Sequence, residues 1–203
     1  MTASIPNVSD LPVGDAHLRE HTASSAPLVS GDFLQLVRDQ VHLPTGLKAQ
    51  REYLLHPGAV MVVALLDDGR VLLERQYRHP VGLTMLELPA GKLDAGEDVL
   101  VCAARELREE TGCTATHWAV ATAMHPCIGY SNEVIHVVFA KGIVRGEQAL
   151  DEGELLDVCA ATPAALLAMA AEGRITDGKT LAGLLWLQNV SLGAWTLDWQ
   201  AAV

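Results

Sequence analysis

Eight consecutive positions, RELREETG at 105–112, hold three glutamates and two arginines. An α-helix turns once per ~3.6 residues. Glu106 and Glu110 therefore share one face, with Glu109 beside them, while Ala103 and Leu107 turn toward a core. Like charges one turn apart cost roughly 0.2–0.5 kcal/mol per pair on an exposed helix. Either water and the arginines absorb that cost in a solvated face, or a cation belongs there. The loop before the helix, LPAGKLDAGE, delivers Glu97, and the glycines at 91, 96 and 112 permit close backbone approach or positive φ. Hard oxygens converging from loop and helix suit Mg²⁺ or Mn²⁺.

Other residue types offer less on their own. Arg78 in RQYR is a candidate grip for an anion, because a guanidinium forks onto two oxygens; the plainer reading is a surface arginine at a strand end. The stretch DEGE at 151–154 is by itself a solvated acidic loop. His56, His79, His125 and His136 sit beside strands at no ligand spacing and read as structural histidines. Cys102, Cys113, Cys127 and Cys159 show no CxxC pairing, so they read as free thiols rather than a zinc site, as in a cytoplasmic protein.

The chain of 203 residues is half hydrophobic, enough for a sizeable core. A net charge of −11 and a pI near 5 argue against nucleic acid, which needs a basic stripe to displace counterions. The same balance means that an anionic substrate requires metal to neutralise the site. No apolar run approaches the ~18–20 residues of a membrane span, and the N-terminal stretch has neither the basic start nor the apolar segment of a signal peptide.

The elements that must position these groups follow from periodicity. Residues 1–27, rich in Ser, Ala, Pro and His, read as a flexible lead-in. DFLQLVRDQVHLP and LKAQREYLLH alternate apolar and polar residues around a PTG turn, and AVMVVALL and VLLERQYR flank DDGR; both pairs read as hairpins. MLELPAG is a short strand running into a loop. DVLVCAARELREE reads as a helix capped by Asp98 and closed by Gly112, burying Leu100, Ala103, Ala104 and Leu107. HWAVATAMHP, NEVIHVVFAKGIV and LDVCAAT are strands. Helices start after Thr162, with Pro163 in the first turn, and after Asp177. The tryptophans at 186, 195 and 199 read as packing residues. The pattern predicts a mixed α/β layer fold.

The stretch from Gly91 to Cys113, GKLDAGEDVLVCAARELREETGC, resembles the Nudix box at every fixed position. These are Gly91, Glu97, Arg105-Glu106-Leu107, Glu109-Glu110, Gly112 and an apolar Cys113. LHPGAV, RQYRHPVG, LELPAGKLDAGE, HPCIGYSNEVIHVVFA, LDEGELLDV and RITDGKTLAGLLWL extend the likeness to the ADP-ribose pyrophosphatase branch over roughly residues 30–190. The resemblance implies an α/β/α sandwich with a mixed sheet and an N-terminal antiparallel β extension. Its implied organisation is strands for dimerisation over 28–57, the hydrolase domain over 58–195 and a tail over 196–203.

The resemblance also implies roles. Glu106, Glu110, Glu154 and the Ala90 carbonyl would hold Mg²⁺, or Mn²⁺, with Glu109 assisting. Glu97 and Arg105 would brace loop against helix. Glu152 would be the base that deprotonates the attacking water, although it and Glu154 could exchange roles. Arg78, Lys92 and Glu133 would contact the substrate, as would Arg51 and Glu52 near an adenine. The implied activity is hydrolysis of ADP-ribose to AMP and ribose 5-phosphate by a homodimer paired through its N-terminal strands. The alternatives are hydrolysis of another nucleoside diphosphate sugar such as GDP-mannose, and a non-catalytic ADP-ribose sensor.

Overall fold

The computed structural model describes residue 5 and residues 7–201. The chain divides into two compact units, one running to Leu55 with Gly129–Asn132 added, the other comprising His56–Ile128 and the chain from Glu133 onward.

In the first unit, β1 (His21–Ser30), β2 (Gln35–His42) and β3 (Lys48–Leu55) form an antiparallel sheet in that order. β2 and β3 are the expected hairpin. β1 begins inside the segment that composition assigns to the lead-in. Every residue of β1 is exposed, so it has no burial alternation to betray it; the ladder to β2 makes the strand.

In the second unit, the described residues form a sheet in the order β10-β5-β4-β9-β8-β11, namely Leu156–Ala161, Val71–Arg78, Ala59–Leu65, Ile135–Arg145, Cys113–Met124 and Gln200–Ala201. β4 runs parallel to β9 and the other pairs are antiparallel, so the sheet is mixed. Val60–Ala64 are fully buried because both faces of β4 are covered. Val60, Val62 and Ala64 pack with Leu100, Ala103 and Leu107 of α1 (Val99–Thr111). Met61 and Val63 belong to a core with Leu166 of α2 (Pro163–Ala171) and Leu184 and Leu187 of α3 (Gly178–Ser191). The result is the α/β/α sandwich expected from the sequence.

One irregularity positions the site. β4 and β5 pair at Leu65↔Val71 next to their turn and then diverge. Beyond it β4 takes β7 (Ala90–Lys92) and β5 takes β6 (Leu83–Glu87). Val62 N–H donates to Pro89 O at 2.8 Å across the wedge. The LPAG segment, expected as a loop, thus enters the sheet and ends in the short strand β7. The C-terminal segment, expected as a tail, likewise adds β11 to the edge of β8.

Capping follows the expectation. Asp98 accepts from Leu100 and Val101 N–H at the start of α1, worth about 1 kcal/mol. Gly112 closes the helix at φ 72°, where a side chain is strained. Thr162 and Asp177 cap α2 and α3. Ala104 is half-buried, and Cys102 shares the buried stripe in its place.

Candidate functional site

Helix α1 meets β7 at a glycine, and the Glu106 carboxylate lies against it. A Cβ built on Gly91 would lie 1.8 Å from the Glu106 carboxyl carbon, so only glycine admits Glu106 there. One turn on, Glu110 is buried and accepts from Ala90 N–H at 3.0 Å. Arg105 ties the arrangement together. Its Nε and Nη2 fork onto Glu97 at 2.9 Å each, Nη1 reaches Glu106 at 2.8 Å and Glu109 at 3.2 Å, and Nη2 also donates to Lys92 O at 3.0 Å. Glu97 in turn accepts from Asp94 N–H at 3.0 Å. Arg105 thus contacts both the loop residue Glu97 and the Lys92 carbonyl of β7.

The electrostatics separate these acids. The Arg105 fork holds Glu97 at about 2. Burial, reinforced by the charges of Glu109 and Glu154, pushes Glu106 up despite Arg105. Burial, followed by the charges of Glu74 and Glu106, pushes Glu110 up to about 10. Without a partner cation Glu110 keeps its proton.

Beneath this face lies a layer of acids and bases that sequence reading passes over. Glu74 of β5 is fully buried; neither carboxyl oxygen accepts a hydrogen bond, and Arg78 Nη2 stands 4.0 Å from Oε1. Its contact with Glu110 joins two acceptors and becomes a hydrogen bond only when one carries a proton; burial pushes Glu74 to about 7. Glu87, opposite Glu74 in the β5–β6 register, is buried too, and Arg78 forks onto it at 2.7 and 2.9 Å. Lys179 donates to Glu87 and, at 2.9 Å, to Asp177. Burial works to raise Glu87, but Arg78 and Lys179 outweigh it and hold the carboxyl below its ordinary value. Asp177 Oδ2 accepts from the Thr180 hydroxyl at 2.6 Å, and Thr180 Oγ1 accepts Leu88 N–H at 2.9 Å, anchoring α3 to LPAG. The available signal was period two: Glu74, Gln76 and Arg78 continue the face of Leu72.

A cavity of about 220 Å³ opens beside this layer, floored by Ala90 and Gly91 and edged by Arg78, Lys92, Lys179, His56 and Glu133. His56 Nε2 stands 3.6 Å from Glu133. Of the expected substrate residues, Arg78, Lys92 and Glu133 line this cavity. Arg51 and Glu52 lie on β3 in the other unit, where Arg51 pairs with Glu20 at 2.5 Å and Glu52 with Arg38 at 2.5 Å. In the acidic loop between β9 and β10, Glu152 is exposed, and Glu154 accepts from Gln76 Nε2 at 3.1 Å.

Among the described residues, no three His, Cys, Asp or Glu side chains converge closely enough to hold a metal by themselves. The donor chemistry nevertheless fits a divalent cation. Glu106 and Glu110 offer hard oxygens against the β7 backbone, where Gly91 makes room for the Glu106 carboxylate, and Glu74 adds a buried carboxylate without a hydrogen-bond donor. A small hard cation takes one or two carboxylates and completes its shell with water and substrate phosphate oxygens. Arg78, Lys92 and Lys179 edge the cavity that Ala90 and Gly91 line, Arg78 and Lys179 being held there by Glu87 and Asp177.

The NUDIX domain model matches residues 55–184, and the chain belongs to the Nudix family. It is 40% identical over 173 residues to the methanol dehydrogenase activator of Bacillus methanolicus, covering 83% of this chain and 92% of that one. It is 36% identical to an ADP-ribose pyrophosphatase of Bacillus subtilis (84% and 94% covered) and 38% identical to one of Mycobacterium tuberculosis (85% and 84% covered). A solved structure described as an ADP compounds hydrolase superposes with a TM-score of 0.77 over 88% of this chain and 98% of its own, at 20% identity, which supports the fold.

Proposed function

We propose that the protein hydrolyses the diphosphate of ADP-ribose, releasing AMP and ribose 5-phosphate, with Mg²⁺ as its cation. The observation that carries the reading is the pair of buried Glu110 and half-buried Glu106 seated on Ala90 and Gly91 beside a cavity edged by Arg78, Lys92 and Lys179. Two relatives that this chain matches over most of its length are named ADP-ribose pyrophosphatases. At about 220 Å³ the cavity is smaller than the ~300–1,000 Å³ of sites that enclose a whole ligand, which suits the diphosphate and the adjoining sugar.

Glu106, Glu110 and the Ala90 carbonyl would hold the cation, with Glu154 as a further ligand and Glu109 assisting. When bound, a divalent cation neutralises the diphosphate and acidifies the attacking water. Glu152, exposed on the acidic loop, would take the proton of that water; Glu97 and Arg105 keep the loop and helix in register. Arg78, oriented by its fork to Glu87, would grip a phosphate oxygen, with Lys92 alongside. Glu133 would face a ribose. Arg51 and Glu52 would contact the adenine across a twofold homodimer paired through β2 and β3. No helix among the described residues is long and apolar enough to cross a membrane, and the free thiols suit the cytoplasm.

Release of AMP from ADP-ribose, measured against release of GMP from GDP-mannose with Mg²⁺ present, tests the substrate. Faster turnover of GDP-mannose overturns the assignment. Tight ADP-ribose binding with no turnover of either substrate would make the protein a sensor.

A further inference from the structure

The acidic loop is tied down at both ends. At its start, Gln148 Nε2 donates to Glu110 O at 2.6 Å and Ala149 N–H to Glu109 O at 3.0 Å, satisfying carbonyls at the end of α1. At its end, β10 joins β5, with Leu156 opposite Gln76. Between these anchors Gly153 turns the backbone at φ 85°, and Glu154 N–H donates to Asp151 O at 3.0 Å. A side chain from the sheet reaches into this span. Gln76 Nε2 donates to Glu154 Oε1 at 3.1 Å.

That contact is made at a cost. The Gln76 carbonyl oxygen is buried and meets no donor. Leaving a buried acceptor unpaired is unfavourable, and an apolar side chain on this strand would avoid it. The amide is therefore committed to Glu154 at the expense of its other end, and a hydrogen bond to a carboxylate is among the stronger kinds. Glu74, Gln76 and Arg78 lie on one face of β5, so a single strand addresses Glu110, Glu154 and Glu87 in turn.

We propose that Gln76 is a positioning residue: its amide holds the Glu154 carboxylate beside Glu106 of α1, so that this acid is already oriented toward the cation site. The inference rests on the reading of Glu154 as a cation ligand. It assigns Gln76 no contact with substrate and no proton transfer.

Calorimetric titration of the metal-free protein with Mn²⁺ tests this through a double-mutant cycle. Gln76→Leu and the near-isosteric Gln76→Met each weaken Mn²⁺ binding roughly 10–100-fold, the usual effect of removing an outer-shell partner. In the hydrolysis assay the same variants raise the metal concentration for half-maximal rate, while KM for ADP-ribose at saturating metal changes less than about twofold. Glu154→Gln weakens Mn²⁺ at least as much, and adding Gln76→Met to it weakens binding no further. Thermal melting confirms folding, and Gln76→Met serves if Gln76→Leu fails to fold. Multiplying effects of Gln76→Met and Glu154→Gln would overturn the positioning role while leaving Glu154 as a ligand. Wild-type Mn²⁺ affinity in Glu154→Gln would remove the ligand reading itself, and this inference with it.

Discussion

Gly91→Ala tests the geometry of the site with one methyl group. The new Cβ would stand 1.8 Å from the Glu106 carboxyl carbon, whereas real Cβ contacts essentially never fall under 3.0 Å. The carboxylate must therefore retreat by at least 3.0 − 1.8 = 1.2 Å. It cannot do so freely, because Arg105 holds it at 2.8 Å and is itself forked to Glu97. A displacement of about 1 Å in a reacting constellation costs on the order of 100-fold in rate. The expected result is a fall of that size in ADP-ribose hydrolysis at limiting Mg²⁺, with a raised metal requirement and about 1–3 kcal/mol lost in stability from overpacking. Gly96→Ala is the control. It strains a residue at φ 78° with nothing within 4 Å of its Cβ, so it costs about 1–2 kcal/mol of stability and leaves the metal requirement unchanged. A metal titration of initial rates, run beside thermal melts, reads both variants. Wild-type metal dependence in Gly91→Ala would refute the placement of Glu106 against the β7 backbone.

The remaining predictions concern charge. Glu110→Gln lowers hydrolysis at least about 100-fold at any Mg²⁺ concentration, since a metal contributes several kcal/mol to such a transition state; full retained activity would remove the metal reading of the helix. Glu87→Gln leaves Arg78 and Lys179 without their shared carboxylate and costs about 2 kcal/mol or more by denaturant unfolding, less than a fully buried pair because Arg78 is partly exposed. Glu110 and Glu74 have raised pKa values, about 10 and about 7, so their protonated forms stabilise the metal-free protein at low pH and that stability is lost as pH rises. The melting temperature of the metal-free protein therefore falls from about pH 5 to pH 9, and Mg²⁺ raises it most at the alkaline end; a flat profile contradicts the buried acid pair. Glu97 has the opposite sign. Its stabilisation is present above the ordinary carboxylate value and lost as pH falls through about 2, so Glu97→Gln flattens the acid limb of an unfolding curve.

The sequence by itself determined what is local. Helical spacing put Glu106, Glu109 and Glu110 on one face, Asp98 and Gly112 marked the ends of α1, and the apolar run AVMVVALL read as one arm of a hairpin. The roles of Glu97 and Arg105 were legible only through the resemblance to the Nudix box, whereas Gly91 stood out as a residue that permits close backbone approach. Tertiary structure decided what depends on partners far along the chain. The divergence of β4 from β5 admits LPAG into the sheet, and no local pattern encodes a wedge between two ladders. Glu74, Glu87 and Lys179 read as ordinary strand and helix charges until α3 and β6 meet over β5. Gln76 looks like one more polar strand residue until the acidic loop, 78 positions later, returns its Glu154 to it. β1 is the converse case: its residues carry no burial signal, and the hydrogen bonds to β2 make it a strand.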